Sequence, residues 1–237
     1  MLEICVDTLQ GAQAACDGGA SRIELCSALS EGGLTPSAGL MQAAAALPIP
    51  SYAMIRPRGG LFHFTTGDEA IMHTDIATAR AAGLAGVVLG VQNTTGALDV
   101  DMLARLSAAA QGMGRTLHRV IDVVPDPVAA LDQAIALGFD RVLTSGAQPE
   151  APDGIALIAE MVTRAAGRLS VMPGCGLTPD NVAGVIAATG VTEVHAACAR
   201  PVPGDPAFSD FDPIAGRIQT SMKDVRAMVA AIRSAGR

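Results

Sequence analysis

The chain has 237 residues, of which 50% are hydrophobic and 3% aromatic, and it has no tryptophan. Such a chain can bury a large aliphatic core, and nothing in its composition marks a boundary, so we expect a single domain over 1–237. The formal net charge of -7 argues against a nucleic-acid or anionic-membrane partner, and no apolar run approaches the ~18 residues of a membrane span.

Short apolar segments alternate with helical segments along the chain. Strands are predicted at 2–7, 22–26, 51–58, 86–91, 115–122, 141–146, 169–173 and 193–198. Helices are predicted at 8–17, 36–47, 68–82, 100–110, 127–138, 154–166, 179–190 and 223–234. Eight strict alternations predict parallel strands with right-handed crossovers, the α/β architecture of a (β/α)8 TIM-type barrel. An open doubly wound sheet is the alternative, but no GxGxxG pattern follows the first strand.

Several helix ends carry capping signals. Thr35 before Pro36, Asp126 before Pro127, and Thr178 before Pro179 each place a capping side chain ahead of a proline at the first helical position. Residues 200–220 form a long irregular stretch, which we interpret as the last barrel loop.

Two arginines end the predicted third strand, in Met-Ile-Arg-Pro-Arg-Gly-Gly. Arg56 and Arg58 are two residues apart, so in an extended chain both point to the same side. The pair predicts an anion clamp at the mouth of the sheet. Alternatively, each arginine pairs with a structural carboxylate at the rim of the barrel.

Polar side chains collect at the carboxyl ends of the strands, where barrel enzymes place their sites. Strand parity and the cost of burying charge against an apolar helix layer place Glu3, Glu24, Arg56, His118 and His195 inside the barrel, towards the top. Such a cluster can hold an anion and move a proton. A buried polar network that only fixes the barrel geometry is the alternative.

A glycine-rich loop follows the seventh strand. Gly174 and Gly176 precede a helix, and backbone N–H groups in such a loop can bind phosphate in barrels. The other interpretation is an ordinary turn between a strand and a helix.

The five cysteines are odd in number and have no CxxC spacing, which suits reduced thiols in a cytosol. Cys5 and Cys26 end neighbouring strands, which lie ~4.8 Å apart in a sheet. Two such thiolates can hold a soft ion such as copper(I). Buried cysteines also serve as small hydrophobic residues.

An apolar patch, Leu61–Phe64, lies in the loop after the third strand. It predicts either a cover for the barrel mouth or a contact with a partner subunit.

The sequence resembles the CutC family. The matching blocks are LEICVD, SRIELCSALSEGGLTPSAG, MIRPRGG, LHRVIDVVPDP, RVLTSG, VMPGCGLTPDN and TEVHAAC, in the order of the family. The resemblance implies a TIM-type barrel, a cytoplasmic protein, a homo-oligomer (dimer or tetramer) and a role in copper homeostasis. It also implies copper binding by cysteines of the first two strands, which match Cys5 and Cys26. After RPRGG the chain departs from the family pattern, because it lacks the usual acidic residue.

Three functional hypotheses remain open. The first is a copper(I)-binding protein with Cys5 and Cys26 as ligands. The second is an enzyme for a small anionic or phosphorylated metabolite: Arg56, Arg58 and the 174–176 loop bind the anion, Glu24 or His118 moves a proton, and Asp122 orients His118. The third is an interaction module without a reaction.

Overall fold

Eight parallel strands form a (β/α)8 barrel in the computed structural model, which describes residues 1–202 and 217–235. The barrel strands are β1 Leu2–Val6, β2 Arg22–Leu25, β3 Ser51–Met54, β4 Gly86–Leu89, β5 Gly114–Leu117, β6 Arg141–Thr144, β7 Ser170–Pro173 and β8 Val194–Ala196. They pair in the order β7-β6-β5-β4-β3-β2-β1-β8. β7 and β8 lie beside each other and bring the barrel close to closure.

One helix follows each barrel strand, which confirms the alternation predicted from the sequence. The helices are α1 Leu9–Gly18, α2 Ala38–Ala45, α3 Thr66–Ala82, α4 Val100–Ala109, α5 Pro127–Ala136, α6 Ile155–Ala165, α7 Val182–Thr189 and α8 Met222–Ala235. Within the two described ranges, no helix is both long and apolar enough to cross a bilayer.

The predicted caps are confirmed for α5 and wrong for α2 and α7. Asp126 caps α5 by accepting from Ala129 N–H. Ser37 caps α2, because Thr35 instead accepts the Arg56 N–H through its side chain at 3.0 Å. The chain forms a turn at 178–181, so α7 begins only at Val182.

The third and fifth predicted strands are too long. β3 ends at Met54, so Arg56 and Arg58 lie in the following loop. β5 ends at Leu117, and a 3₁₀ helix, Arg119–Val123, follows. That helix begins where His118 Nδ1 accepts the Val120 N–H, so His118 and Asp122 do not share one strand.

The stretch predicted as an irregular last loop contains a hairpin. β9 Ala199–Val202 pairs antiparallel with β10 Arg217–Thr220. Most of the predicted loop, residues 203–216, lies outside the described residues. Asp224 in α8 forms an ion pair with Arg200 of β9. This ion pair ties the hairpin to the last helix.

The hydrophobic core has two parts. The larger part lies between the strands and the surrounding helices. The smaller part fills the barrel interior with Cys26, Tyr52, Met54 and Val88. The polar residues of the candidate site share this interior.

Candidate functional site

A charged network fills the floor of the barrel beneath the candidate site. Arg22 forms ion pairs with Glu3 and Glu193, and Arg141 reaches Glu193 at 3.2 Å. The Tyr52 ring lies under both guanidinium groups, 5.3 Å from Arg22 Cζ and 5.1 Å from Arg141 Cζ. Each buried charge of this floor network therefore has a partner, which offsets the cost of burying it in an apolar interior.

Glu3 connects this floor to the barrel mouth. Its Oε1 lies 2.8 Å from His195 Nδ1. Burial alone would raise the pKa of Glu3, but the His195 and Arg22 contacts lower that pKa to about 2. Because Nδ1 faces Glu3, the other nitrogen of His195, Nε2, is directed towards the strand ends of β1 and β2.

Three potential metal ligands meet at these strand ends. One ligand atom from each of Cys5, Glu24 and His195 lies within 4.8 Å of the other two. The strand register produces this meeting, because Cys5 pairs with Glu24 across β1 and β2, and Glu3 pairs with His195 across β1 and β8. The predicted interior placement of Glu3, Glu24 and His195 agrees with their burial.

Burial shapes the protonation of this group. It raises the pKa of Glu24, although the neighbouring His195 cation opposes the shift. Burial would lower the pKa of His195, but the Glu24, Cys5 and Glu3 contacts outweigh it and raise that pKa well above its ordinary value. The group therefore retains protons that a bound cation would displace.

Cys26 does not join Cys5 in the way that the sequence predicts. It follows β2 by one residue, and the residue opposite Cys5 is Glu24. The two cysteines are thus diagonal neighbours on β1 and β2. The Cα atoms of such neighbours lie roughly 7–8 Å apart in a sheet rather than ~4.8 Å. Cys26 Sγ instead contacts Glu24 Oε2 at 3.6 Å, and burial raises the pKa of its thiol well above the usual range.

Arg56 and Arg58 do not form the predicted clamp. The Arg56 guanidinium is buried and donates to the carbonyls of Glu31, Gly33 and Gly60, so it holds two loops over the barrel mouth. Arg58 is more exposed and bonds Asp68 and the His63 carbonyl. The two side chains have separate partners because the chain leaves β3 before reaching them.

His118 lies at the mouth on the opposite side from the metal-ligand group, after β5. Its ring packs against Phe62, with ring centroids 4.6 Å apart, so the patch 61–64 covers part of the mouth. Burial and the nearby Arg56 charge lower the pKa of His118 to about 3. The side chain is therefore a neutral imidazole at physiological pH.

Asp122 does not orient His118. Its carboxylate accepts from the backbone N–H groups of Ser145 and Ala147 and forms an ion pair with Arg119 at 2.9 Å. The Thr144 hydroxyl also donates to it. The loop after β6 therefore forms an anion cradle, and the chain fills this cradle with its own carboxylate.

Sequence reasoning missed Arg119. Its guanidinium donates to Asp122, to Ser145 Oγ at 2.7 Å and to Cys175 Sγ at 2.9 Å. It thereby joins the loops after β5, β6 and β7 at the mouth. Its position immediately after His118, at a strand end, was the available signal.

The loop with Gly174 and Gly176 is filled by protein groups. Gly174 packs closely on His195 and Leu143, where an added Cβ would lie 2.7 Å from Leu143 Cδ1. Gly176 has a φ of 69° and faces the Glu150 carboxylate, 2.7 Å from the position of an added Cβ. Asn181 bonds the Gly176 carbonyl at 2.8 Å. A carboxylate at this point opposes phosphate binding.

Comparison with known families covers the barrel strands of this chain. A sequence model of the CutC family matches residues 1–200. The chain belongs to the CutC family. A family protein CutC of Sinorhizobium medicae is 49% identical over 205 residues, which cover 86% of this chain and 84% of that protein. A CutC family protein of Photobacterium profundum is 52% identical over 195 residues, 82% of this chain and 80% of that one.

Solved structures support the same fold. A crystal structure from Streptococcus agalactiae, named as a candidate copper homeostasis protein CutC, has a TM-score of 0.80 and 32% identity. The match covers 83% of this chain and 98% of the Streptococcus agalactiae chain. Thiamine phosphate pyrophosphorylase from Pyrococcus furiosus matches with a TM-score of 0.63 at 13% identity, over 99% of this chain and 96% of that one. This second likeness shows the shared barrel alone.

Proposed function

We propose that this CutC family chain binds a copper(I) ion at the barrel mouth through Cys5 and His195, with Glu24 and Cys26 as neighbouring donors. The convergence of Cys5, Glu24 and His195 carries the proposal. Thiolate and imidazole suit copper(I), whereas a carboxylate is a harder ligand. The related protein named for copper homeostasis supports this choice of metal.

The spacing of the donors fits a metal ion. A metal–sulfur bond of about 2.3 Å and a metal–nitrogen bond of about 2.0 Å place two ligand atoms roughly 3.5–4.3 Å apart, depending on the angle. The three atoms lie within 4.8 Å of one another, so only small side-chain shifts would be needed. Glu3 would hold His195 in the orientation that offers Nε2 to the ion, an arrangement common behind metal-binding histidines.

An anaerobic copper(I) titration against a competing chelator tests the proposal. We expect one ion per chain, with binding weakened at least tenfold by Cys5→Ser and by His195→Gln. Cys16→Ser is the matched control, because Cys16 packs against the core outside the mouth. Equal copper(I) affinity in the wild type and all three variants would refute the site. A parallel zinc titration shows whether the Glu24 carboxylate shifts the preference to a harder ion.

A second candidate function is acid–base catalysis by Glu24. Its Oε1 is buried and has no hydrogen-bond partner among residues 1–202 and 217–235, and burial raises its pKa. A carboxyl group in that state can exchange a proton with a bound substrate. Binding of a small metabolite that is lost in Glu24→Gln but kept in Cys5→Ser would favour this candidate over metal binding.

We also propose that the protein works in the cytoplasm as a homodimer or homotetramer. All five cysteines are free thiols, which suits a reducing compartment. Leu61 and Val123 are exposed by 77% and 58% and offer apolar surface for a second copy. Sedimentation of the purified chain measures the number of subunits, and a monomer at micromolar concentration would contradict the proposed dimer or tetramer.

A further inference from the structure

Arg56 is a buried cation without a carboxylate partner. Its side chain is 6% exposed, and its bonds run to the three backbone carbonyls described above. In the described parts of the chain, no carboxylate oxygen lies within 4.0 Å of its nitrogens. Arg22, which is also deeply buried, has two carboxylate partners. Buried charges are ordinarily paired. Burial lowers the pKa of Arg56 and outweighs the opposing charge of the Glu31 carboxylate, so Arg56 lacks an anion in direct contact.

Two N–H donors near this charge also lack acceptors. Arg56 Nε is buried without a partner among the described residues. His118 Nδ1 accepts the Val120 N–H at 3.1 Å, so in the neutral imidazole the proton lies on Nε2. That Nε2 is likewise buried, and the structure gives it no partner within 1–202 and 217–235. An unsatisfied buried donor costs about 1–3 kcal/mol, which a ligand oxygen would recover.

One aromatic ring covers both donors. Phe62 lies 4.9 Å from Arg56 Cζ and 4.6 Å, between centroids, from the His118 ring. Gly90 leaves room for the His118 ring, because a Cβ at this position would lie 2.5 Å from His118 Cε1. Phe62 follows Gly59 and Gly60, and Gly60 has a φ of 81°. Phe62 is therefore a planar group on a loop segment that begins with two glycines, and it lies against a guanidinium and, at an interplanar angle of 42°, an imidazole.

We propose that Phe62 occupies a binding site for a planar carboxylate, which takes the place of the Phe62 ring and bonds Arg56 and His118. The ring of the ligand packs against the two side chains as Phe62 does. Its carboxylate supplies the missing negative charge and the missing acceptors. This site uses neither Cys5 nor His195 and stands independently of copper binding.

Benzoate, benzamide and toluene are the probes, because they share a ring and differ in charge and polarity. Phe62→Ala removes the occupant, so we expect calorimetry to show benzoate binding at least tenfold more tightly to this variant than to the wild type. Benzamide and toluene should bind Phe62→Ala at least tenfold more weakly than benzoate. Leu61→Ala is the matched control from the same loop, since Leu61 is exposed, and its affinity for benzoate should equal that of the wild type.

Two results would overturn the proposal. One is a folded Phe62→Ala protein that does not bind benzoate. The other is toluene or benzamide binding as tightly as benzoate, which would leave only an apolar hole. Should Phe62→Ala not fold, proton–nitrogen NMR of the wild type decides: high benzoate concentrations should shift the His118 Nε2 signal, and an unshifted signal refutes the site.

Discussion

His195 Nδ1 lies 2.8 Å from Glu3 Oε1, with both side chains buried in the barrel. The contact fixes the imidazole so that Nε2 faces Cys5 and Glu24. Glu3→Gln should therefore weaken copper(I) binding about 10- to 100-fold, the usual effect of losing the carboxylate behind a metal-binding histidine. The chelator titration described above measures it.

Glu193→Gln is the control for this experiment. Glu193 pairs with Arg22 and Arg141 in the same floor network, but its bonds do not reach His195. Its replacement should change copper affinity much less than Glu3→Gln does. Equal losses in the two variants would mean that the floor network supports the site only as a whole.

The barrel and its polar interior could be predicted from the sequence, whereas the grouping of residues at the mouth could not. Period-two parity correctly placed Glu3, Glu24 and His195 inside. The alternation of side chains along a strand does not reveal which residues of two strands lie opposite each other. Cys5 was therefore predicted to lie beside Cys26, although the residue opposite Cys5 is Glu24. The apolar residues Val120 and Ile121 continue a strand-like pattern after β5, but the His118 side chain caps a 3₁₀ turn there.

His118 should make the fold sensitive to mild acid. Its pKa is about 3 in the folded chain against an ordinary 6.5, so below pH 6.5 the unfolded chain binds a proton that the folded chain does not. The free energy of unfolding should fall as the pH drops from 6.5 towards 3, by on the order of 4 kcal/mol in total. Urea unfolding at a series of pH values measures this slope.

His118→Gln isolates that contribution. Between pH 6.5 and 4.5 the variant should show a flatter slope, because Glu3, with a pKa of about 2 in the folded chain and 4.5 ordinarily, loses its stabilisation only at lower pH. Tyr52 is the single tyrosine, and the chain has no tryptophan, so tyrosine fluorescence reports on the barrel interior. Identical slopes in the wild type and the variant would contradict the burial of a neutral His118.

Asp122→Asn should destabilise the loop after β6 and release Arg119. The asparagine amide places donors against the N–H groups of Ser145 and Ala147, which the carboxylate satisfies. We expect a loss of about 2–4 kcal/mol in the free energy of unfolding, typical of a broken buried network. Cys175 loses its Arg119 contact in this variant. Burial raises the pKa of the Cys175 thiol and the Arg119 cation opposes that rise, so loss of the cation should reduce the thiolate fraction, and Cys175 should react more slowly with a thiol reagent.

Asp126→Asn is the control for that change. Asp126 caps α5, and asparagine is an equally good capping residue, so stability should change by less than about 0.5 kcal/mol. If Asp122→Asn were as mild as this control, the cradle would contribute nothing to folding.

Gly114 should tolerate no side chain, because Tyr52 fills the space in front of it. A Cβ at Gly114 would lie 2.0 Å from Tyr52 Oη and 2.6 Å from Cζ. Gly114→Ala should therefore lower the free energy of unfolding by about 1–3 kcal/mol through overpacking. In a Tyr52→Leu background most of that cost should disappear, which a double-mutant cycle followed by circular dichroism would measure.

Gly184→Ala is the control, since nothing lies within 4 Å of its added Cβ in α7, and it should stabilise the helix by about 0.5–1 kcal/mol. An undiminished cost of Gly114→Ala in the Tyr52→Leu background would show that the strain comes from the backbone of β5 and not from the ring.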